Sequence, residues 1–182
     1  MTFVELNISG VVEIIPDVKG DERGGFFRSY CQQEMDKINM KPIVQMNHSF
    51  NVQKGTLRGL HYQKPPHQEQ KLIRCVHGAV WDVFVDLRKN SPTFLQWDKV
   101  ILSAEKMNSI FIPEGMAHGF ITLENNSELI YAHTAFYQPQ FEAGLSFDDK
   151  MLNITWPTKP TIISDRDRNH PHLSDEFKGI EL

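Results

Sequence analysis

The chain has 182 residues, 40% of them hydrophobic, with a formal net charge of −4. That length supports one globular core, or at most two small ones. The acidic balance lacks the basic excess typical of a partner for nucleic acid or an anionic membrane, although a small phosphorylated ligand needs only a local basic cluster. No apolar run reaches membrane-spanning length, and no basic-then-apolar leader opens the chain. Cys31 and Cys75 form neither a CxxC pair nor a zinc spacing. The expectation is a cytoplasmic protein with idle thiols, no nucleic-acid partner and no membrane partner.

Prolines and glycines punctuate the whole chain and leave short segments of β character. In order these are VVEII (11–15), GGFFRSY (24–30), VQMNHSF (44–50), LRGLHYQ (57–63), KLIRCVHG (71–78), AVWDVFVDL (79–87), WDKVIL (97–102), SIFIP (109–113), HGFITL (118–123) and LIYAHTAFY (129–137). Helical pattern is confined to two turns over CQQEMDKI (31–38) and a turn after Asp148. Many short strands with few helices predict an all-β barrel or sandwich. The clearest strand is 79–87. Trp81, Val83, Val85 and Leu87 share a face that reads as core. Val80, Asp82, Phe84 and Asp86 share a mixed face, suited either to water or to the wet interior of a barrel.

Several groups could carry chemistry. LRGLHYQ sets Arg58 and His61 three residues apart, on opposite faces of a regular strand. Gly59 between them is the residue type that marks a bulge, and a bulge would bring both side chains to one side. On residue chemistry alone His61 is open between a core histidine and a working one. His61, His67, Glu69 and His118 invite comparison with a cupin metal set, but there is no His-x-His and Pro65-Pro66 makes the stretch a turn, so no metal is expected. Tyr131, His133 and Tyr137 share one face if LIYAHTAFY is a single strand. The segment ISDRDRNHP (163–170) is either a solvated tail or the source of an aspartate that orients a histidine. No dinucleotide, phosphate-loop or nucleophile-elbow motif is present, so the reading is acid–base chemistry without a cofactor.

Taken together, DERGGFFRSY (21–30), QMNHS (45–49), GTLRGLHYQ (55–63), QKLIRCVHG (70–78), VDLRKNSPTF (85–94), IPEGMAHGF (112–120), LIYAHTAFYQPQFEAGLSFDD (129–149), ITWP (154–157) and ISDRDR (163–168) resemble the dTDP-4-dehydrorhamnose 3,5-epimerase family over nearly the whole chain. The resemblance implies a single domain, 1–182, folded as a cupin-type jelly-roll barrel with short peripheral helices. It further implies a cytoplasmic homodimer that exchanges N-terminal strands and inverts C3 and C5 of a nucleoside-diphosphate-linked 4-keto-6-deoxyhexose without cofactor or metal.

The resemblance also assigns roles. His61 matches the base, Asp167 the carboxylate that holds it, Tyr131 the acid on the opposite ring face, and Lys71 the cation near the ketone oxygen. Arg58 and His118 match residues lining the sugar and diphosphate region. Arg23, with Phe26 and Arg28 in the same N-terminal segment, matches substrate-binding positions; the family's arginine there reaches the neighbouring subunit's site. Gln45 and Asn47 match a polar pair, Tyr137 the aromatic that stacks on the nucleobase, and Glu142 and Arg166 contacts to the nucleotide sugar. Arg28 stands where a glutamate is usual, Gly25 where an aromatic is common, Phe147 where a tryptophan is usual and Arg166 where a lysine is common. These departures leave the acid–base set intact and open a choice between thymidine and cytidine diphosphate. Alternatives are inversion at one carbon only, a ketoisomerase, or a non-catalytic sugar-nucleotide-binding cupin.

Overall fold

The computed structural model describes residues 1–182. Two antiparallel sheets face each other. The first has strand order β1 (Thr2–Glu5), β2 (Val12–Ile15), β10 (Ser109–Ile112), β7 (Lys71–His77), β12 (Ser127–His133) and β5 (Gln45–Asn51). The second runs β13 (Glu142–Gly144), β6 (Thr56–Gln63), β11 (Met116–Thr122), β8 (Ala79–Asp86) and β9 (Trp97–Ser103). Strand β14 (Ile162–Ile163) joins β6 in parallel. A separate hairpin of β3 (Lys19–Asp21) and β4 (Gly24–Phe26) pairs only with itself. The helices are single turns, α1 (Gln32–Met35) and α2 (Asp165–Arg168). The expected all-β barrel with short peripheral helices is what the chain forms.

Alternation explains why three apolar layers coexist in so short a chain. On β8, Val80 and Phe84 turn inward to a core shared with Ile73, Ile110 and Leu129 from the opposite sheet. Trp81, Val83 and Val85 turn outward and are buried beneath the C-terminal segment, with Trp156, Leu173 and Phe177 packed against them. The chain 1–40 covers the outer face of the first sheet in the same way, through Met35 and Met40 on Leu72 and Phe111. All eight residues of β8 are therefore buried. The mixed face of 79–87 is barrel interior, and its Asp82 points into the polar end of that interior, where it meets His118.

One sequence expectation is corrected and another is met. LIYAHTAFY is not one strand: β12 ends at His133, and Tyr137 lies in the loop beyond. The shared face of Tyr131 and Tyr137 is thus lost as a parity argument. The loop nevertheless returns Tyr137 to the same cavity as Tyr131. The expected Arg58–His61 bulge is present. His118 pairs with His61 and Phe120 with Arg58, so two residues of β6, Gly59 and Leu60, oppose one of β11, Gly119. Gly59 sits at that bulge with φ +124°, and its peptide bond to Leu60 is cis. A Cβ there would stand 2.6 Å from the Gly119 Cα and 2.8 Å from the His118 carbonyl oxygen. Only glycine satisfies both the dihedral and the approach.

Candidate active site

The two sheets separate at one end and enclose a cavity of about 250 Å³. That holds a sugar ring more readily than a whole sugar nucleotide. Its floor and walls are polar. One wall comes from β6, β11 and the segment after β14; the other comes from β5, β7 and β12.

On the first wall the bulge turns Arg58 and His61 to the same cavity. Strand β14 aligns Ile163 with Leu57 and so delivers α2 beside the bulge. Ser164 caps α2 by accepting from the Asp167 backbone N–H at 3.1 Å. The Asp167 carboxylate then accepts from His61 Nε2 at 2.8 Å and from the Gly59 backbone N–H at 3.0 Å. Burial raises the Asp167 pKa, but the hydrogen bond and charge of His61, the Gly59 N–H and Arg166 outweigh it and hold the carboxyl well below its ordinary range. The contact requires the proton of His61 to sit on Nε2, leaving Nδ1 with the ring's free lone pair. Arg166 bridges outward: Nε lies 3.3 Å from Asp167 Oδ1, and Nη1 donates to Glu142 Oε1 at 3.0 Å. Tyr137 Oη donates to Glu142 Oε2 at 2.8 Å, which ties the loop aromatic to the mouth of the cavity.

On the second wall a regular ladder sets the side chains. Gln45 and Asn47 alternate inward on β5, paired with His133 and Tyr131 of β12. Lys71 is buried on β7, 3.2 Å from Glu69 Oε1. Glu69 Oε2 accepts from His133 Nδ1 at 2.8 Å, and His133 Nε2 in turn lies 3.3 Å from the Asn47 amide nitrogen. Burial raises the Glu69 carboxyl, but the Lys71 charge and the His133 hydrogen bond prevail and pull it down to about 2. Tyr131 is pushed well above the usual tyrosine value, first by burial and next by the Asp82 charge. It is a phenol, not a phenolate, at neutral pH.

Between the walls, His118 Nε2 meets Asp82 Oδ2 at 2.8 Å. Both are buried, and burial pushes the carboxyl pKa up and the imidazole pKa down.

The structure thus brings together His61, Asp167, Lys71, Tyr131, Arg58, His118, Gln45, Asn47, Tyr137, Glu142 and Arg166. It does not bring Arg23, Phe26 or Arg28 to this cavity. Arg23 pairs with Asp21 and Arg28 with Glu34, while Phe26 is 79% exposed on the free hairpin. The supposed cupin metal set does not converge either: His118 turns to Asp82 and Glu69 to Lys71. The one cluster with ligand-like spacing is His61, Asp167 and His170. There the Arg166 guanidinium already stands 3.2 Å from His61 Nε2, so a cation is supplied by the chain itself.

Sequence reasoning missed the partners of the lining groups. Asp82 was visible as an acid on the inward parity of β8, but its contact with His118 depends on the register of β8 and β11. Glu69 reads in the sequence only as a candidate ligand; its contact with Lys71 is local, two positions along the chain, and its contact with His133 follows from β7 and β12 lying side by side.

The half-buried His61–Asp167 pair thus faces the partly buried Tyr131 phenol and the buried Lys71 across one cavity, an arrangement suited to acid–base chemistry. The family model for dTDP-4-dehydrorhamnose 3,5-epimerase matches residues 5–175. A dTDP-4-dehydrorhamnose 3,5-epimerase of Shigella flexneri is 44% identical over 177 residues, covering 96% of this chain and 97% of its own. The Bacillus anthracis enzyme of that name, solved with TDP and pyrophosphate bound, is 41% identical with a TM-score of 0.91, covering 94% of this chain and 99% of its own. A 3'-monoepimerase of Streptomyces bikiniensis, solved in complex with dTDP-quinovose, is 32% identical with a TM-score of 0.85, covering 92% of this chain and 85% of its own. The chain belongs to the dTDP-4-dehydrorhamnose 3,5-epimerase family and is an isomerase.

Proposed function

We propose that the protein inverts C3 and C5 of a dTDP-linked 4-keto-6-deoxyglucose, giving the 4-keto-rhamnose form for surface-polysaccharide synthesis, with no cofactor. The observation that carries the reading is the placement of a base and an acid on opposite walls. His61 belongs to the second sheet and Tyr131 to the first. A sugar ring between them loses a proton from one face and regains one on the other, which is inversion. A single residue acting alone would return the proton to the side it left.

The carbon acid beside the C4 ketone ionises only if its enolate oxygen is stabilised as charge develops. Lys71, 3.2 Å from Glu69, supplies a cation, and His118 and Arg58 supply further donors. His61 takes the proton at Nδ1, and Asp167 stabilises the imidazolium that forms. Tyr131, kept neutral by burial, delivers a proton to the opposite face. Glu142, Tyr137 and Arg166 at the mouth suit the nucleotide, with Tyr137 free to stack on the base.

The self-paired β3–β4 hairpin and the exposed apolar parity of Met46, Phe50 and Val52 on and after edge strand β5 fit a homodimer. In it, Arg23, Phe26 and Arg28 of one subunit complete the partner's site. Phe50→Asp is expected to shift the protein to monomer in sedimentation and to weaken binding of the sugar nucleotide; a dimer with unchanged affinity would remove this part of the reading.

The primary test is proton exchange. Incubation with dTDP-4-keto-6-deoxyglucose in D₂O should place deuterium at both C3 and C5, read by NMR. Exchange at one carbon only would make the protein a monoepimerase, the second reading that the Streptomyces bikiniensis relative favours. Absence of exchange in folded protein would sink the reading. The CDP-linked sugar run in parallel decides whether Arg28, which pairs with Glu34, alters the choice of nucleobase.

A further inference from the structure

His170 has no role in the chemistry above, yet it is packed against the centre of it. The chain after α2 folds back so that its ring meets His61 edge-on, 5.4 Å between centroids at 78°. Its side chain is only 13% exposed. The space it fills exists because residue 144 is glycine: Gly144 pairs with His61 across β13 and β6, and a Cβ at 144 would run into the His170 ring.

The Nε2 atom of His170 is buried and has no hydrogen-bond partner. The acceptor nearest to hand is Asp167 Oδ1, at 3.7 Å. That is too long for a hydrogen bond, but a buried ring nitrogen is costly to leave unpaired. Contacts of catalytic groups commonly tighten when substrate binds. Burial, then the neighbouring charge of His61, hold the His170 pKa below its ordinary value. The ring is accordingly a neutral imidazole with a single N–H. Facing a carboxylate, that proton belongs on Nε2. The other charged groups around the ring are Arg166 on α2 and Glu142 on β13; these already pair with each other.

We propose that His170 is a positioning residue for the base: its Nε2–H closes onto Asp167 Oδ1 when substrate binds, so that the carboxylate is clamped between two imidazoles and His61 is held in register with the sugar. Asp167 then has the Gly59 N–H on Oδ2 and, on Oδ1, both histidines beside the Arg166 Nε–H. The carboxylate cannot rotate away as His61 gains its proton. The idea rests on the reading of His61 as the base.

Two substitutions separate ring from donor. His170→Phe keeps the ring and removes the N–H; His170→Gln keeps a donor and removes the ring. The expected result for His170→Phe is a fall in kcat of about tenfold with KM within about twofold, since the loss is one of alignment and not of binding. His170→Gln should recover much of that loss. Wild-type rates in folded His170→Phe would overturn the proposal, and so would equal losses in both variants. A third measurement needs no variant and no turnover: in ¹⁵N-histidine NMR of the free wild-type protein, His170 should show the Nε2–H tautomer. The Nδ1–H tautomer would overturn the proposal even if the variants fail to fold. Lack of deuterium exchange by the wild-type enzyme would instead overturn the base reading, and leaves the tautomer result standing on its own.

Discussion

The two walls of the cavity are built on opposite principles. The Tyr131 wall is regular. Strands β5 and β12 pair residue for residue, Gln45 to Asn51 opposite His133 to Ser127, and β7 keeps register with β12 from Leu129 to His133, the one shift falling between Glu128 and Leu129; alternation alone decides that Gln45, Asn47, Tyr131 and His133 face inward. The His61 wall is irregular. It depends on a bulge at Gly59, a two-residue parallel strand, a one-turn helix, and a contact from Asp167 to His61 across 106 positions of sequence. In the proposed reaction the acid needs only to stay protonated, which the partly buried ladder position of Tyr131 provides. The base needs a fixed tautomer and a fixed partner, and no regular strand provides these.

Breaking each wall at its functional atom should have the largest effects. His61→Ala is expected to lower deuterium exchange at both carbons by at least about 10³-fold, consistent with loss of a general base. Tyr131→Phe should separate the half-reactions. Proton loss from the substrate continues at a reduced rate while inversion falls by about 10²-fold or more; inverted product at the wild-type rate would refute its assignment as acid.

A next pair of changes tests the scaffolds. Gly59→Ala forces a Cβ against Gly119 and the His118 carbonyl at a φ of +124°. The expected cost is about 3 kcal/mol of stability in denaturant unfolding, with loss of activity in whatever fraction folds. No equivalent single backbone position exists on the ladder of the other wall, where pairing is distributed. Glu69→Gln probes the smaller contrast. The Glu69 pKa is depressed on folding from its ordinary 4.5 to about 2. Its ionised form therefore stabilises the fold above about pH 4.5, and that contribution is lost as pH falls towards 2. The variant should lose on the order of 2 kcal/mol near neutral pH, where Lys71 keeps its charge without a carboxylate. It should also show a flatter stability profile between pH 4.5 and 2; an unchanged profile would show that Glu69 and Lys71 do not form the buried pair.

The sequence by itself determined the fold class. Period-two alternation and frequent turn residues are local signals, and they located the long strands, including the two-faced 79–87, but not the short β1, β3, β13 and β14. It also set a condition: Arg58 and His61 share a face only if the strand bulges near Gly59, because parity separates them on a regular strand; the bulge itself is seen in the register of β6 and β11. The extent of β12 was misjudged, since nothing local distinguishes Thr134–Tyr137 from a strand continuing past His133; the loop is set by Gln63, which accepts from the Gln138 N–H, and by Gln45, which accepts from the Tyr137 N–H.

The pairings inside the site were decided only by tertiary structure. His118 with Asp82, His133 with Glu69, and His61 with Asp167 each join residues from different strands or segments. A single chain of letters carries the chemistry of each group, but not the register between strands that determines which groups come within 3 Å of one another. Burial, which holds Tyr131 protonated and leaves His170 Nε2 without a partner, is likewise a property of the assembled sheets.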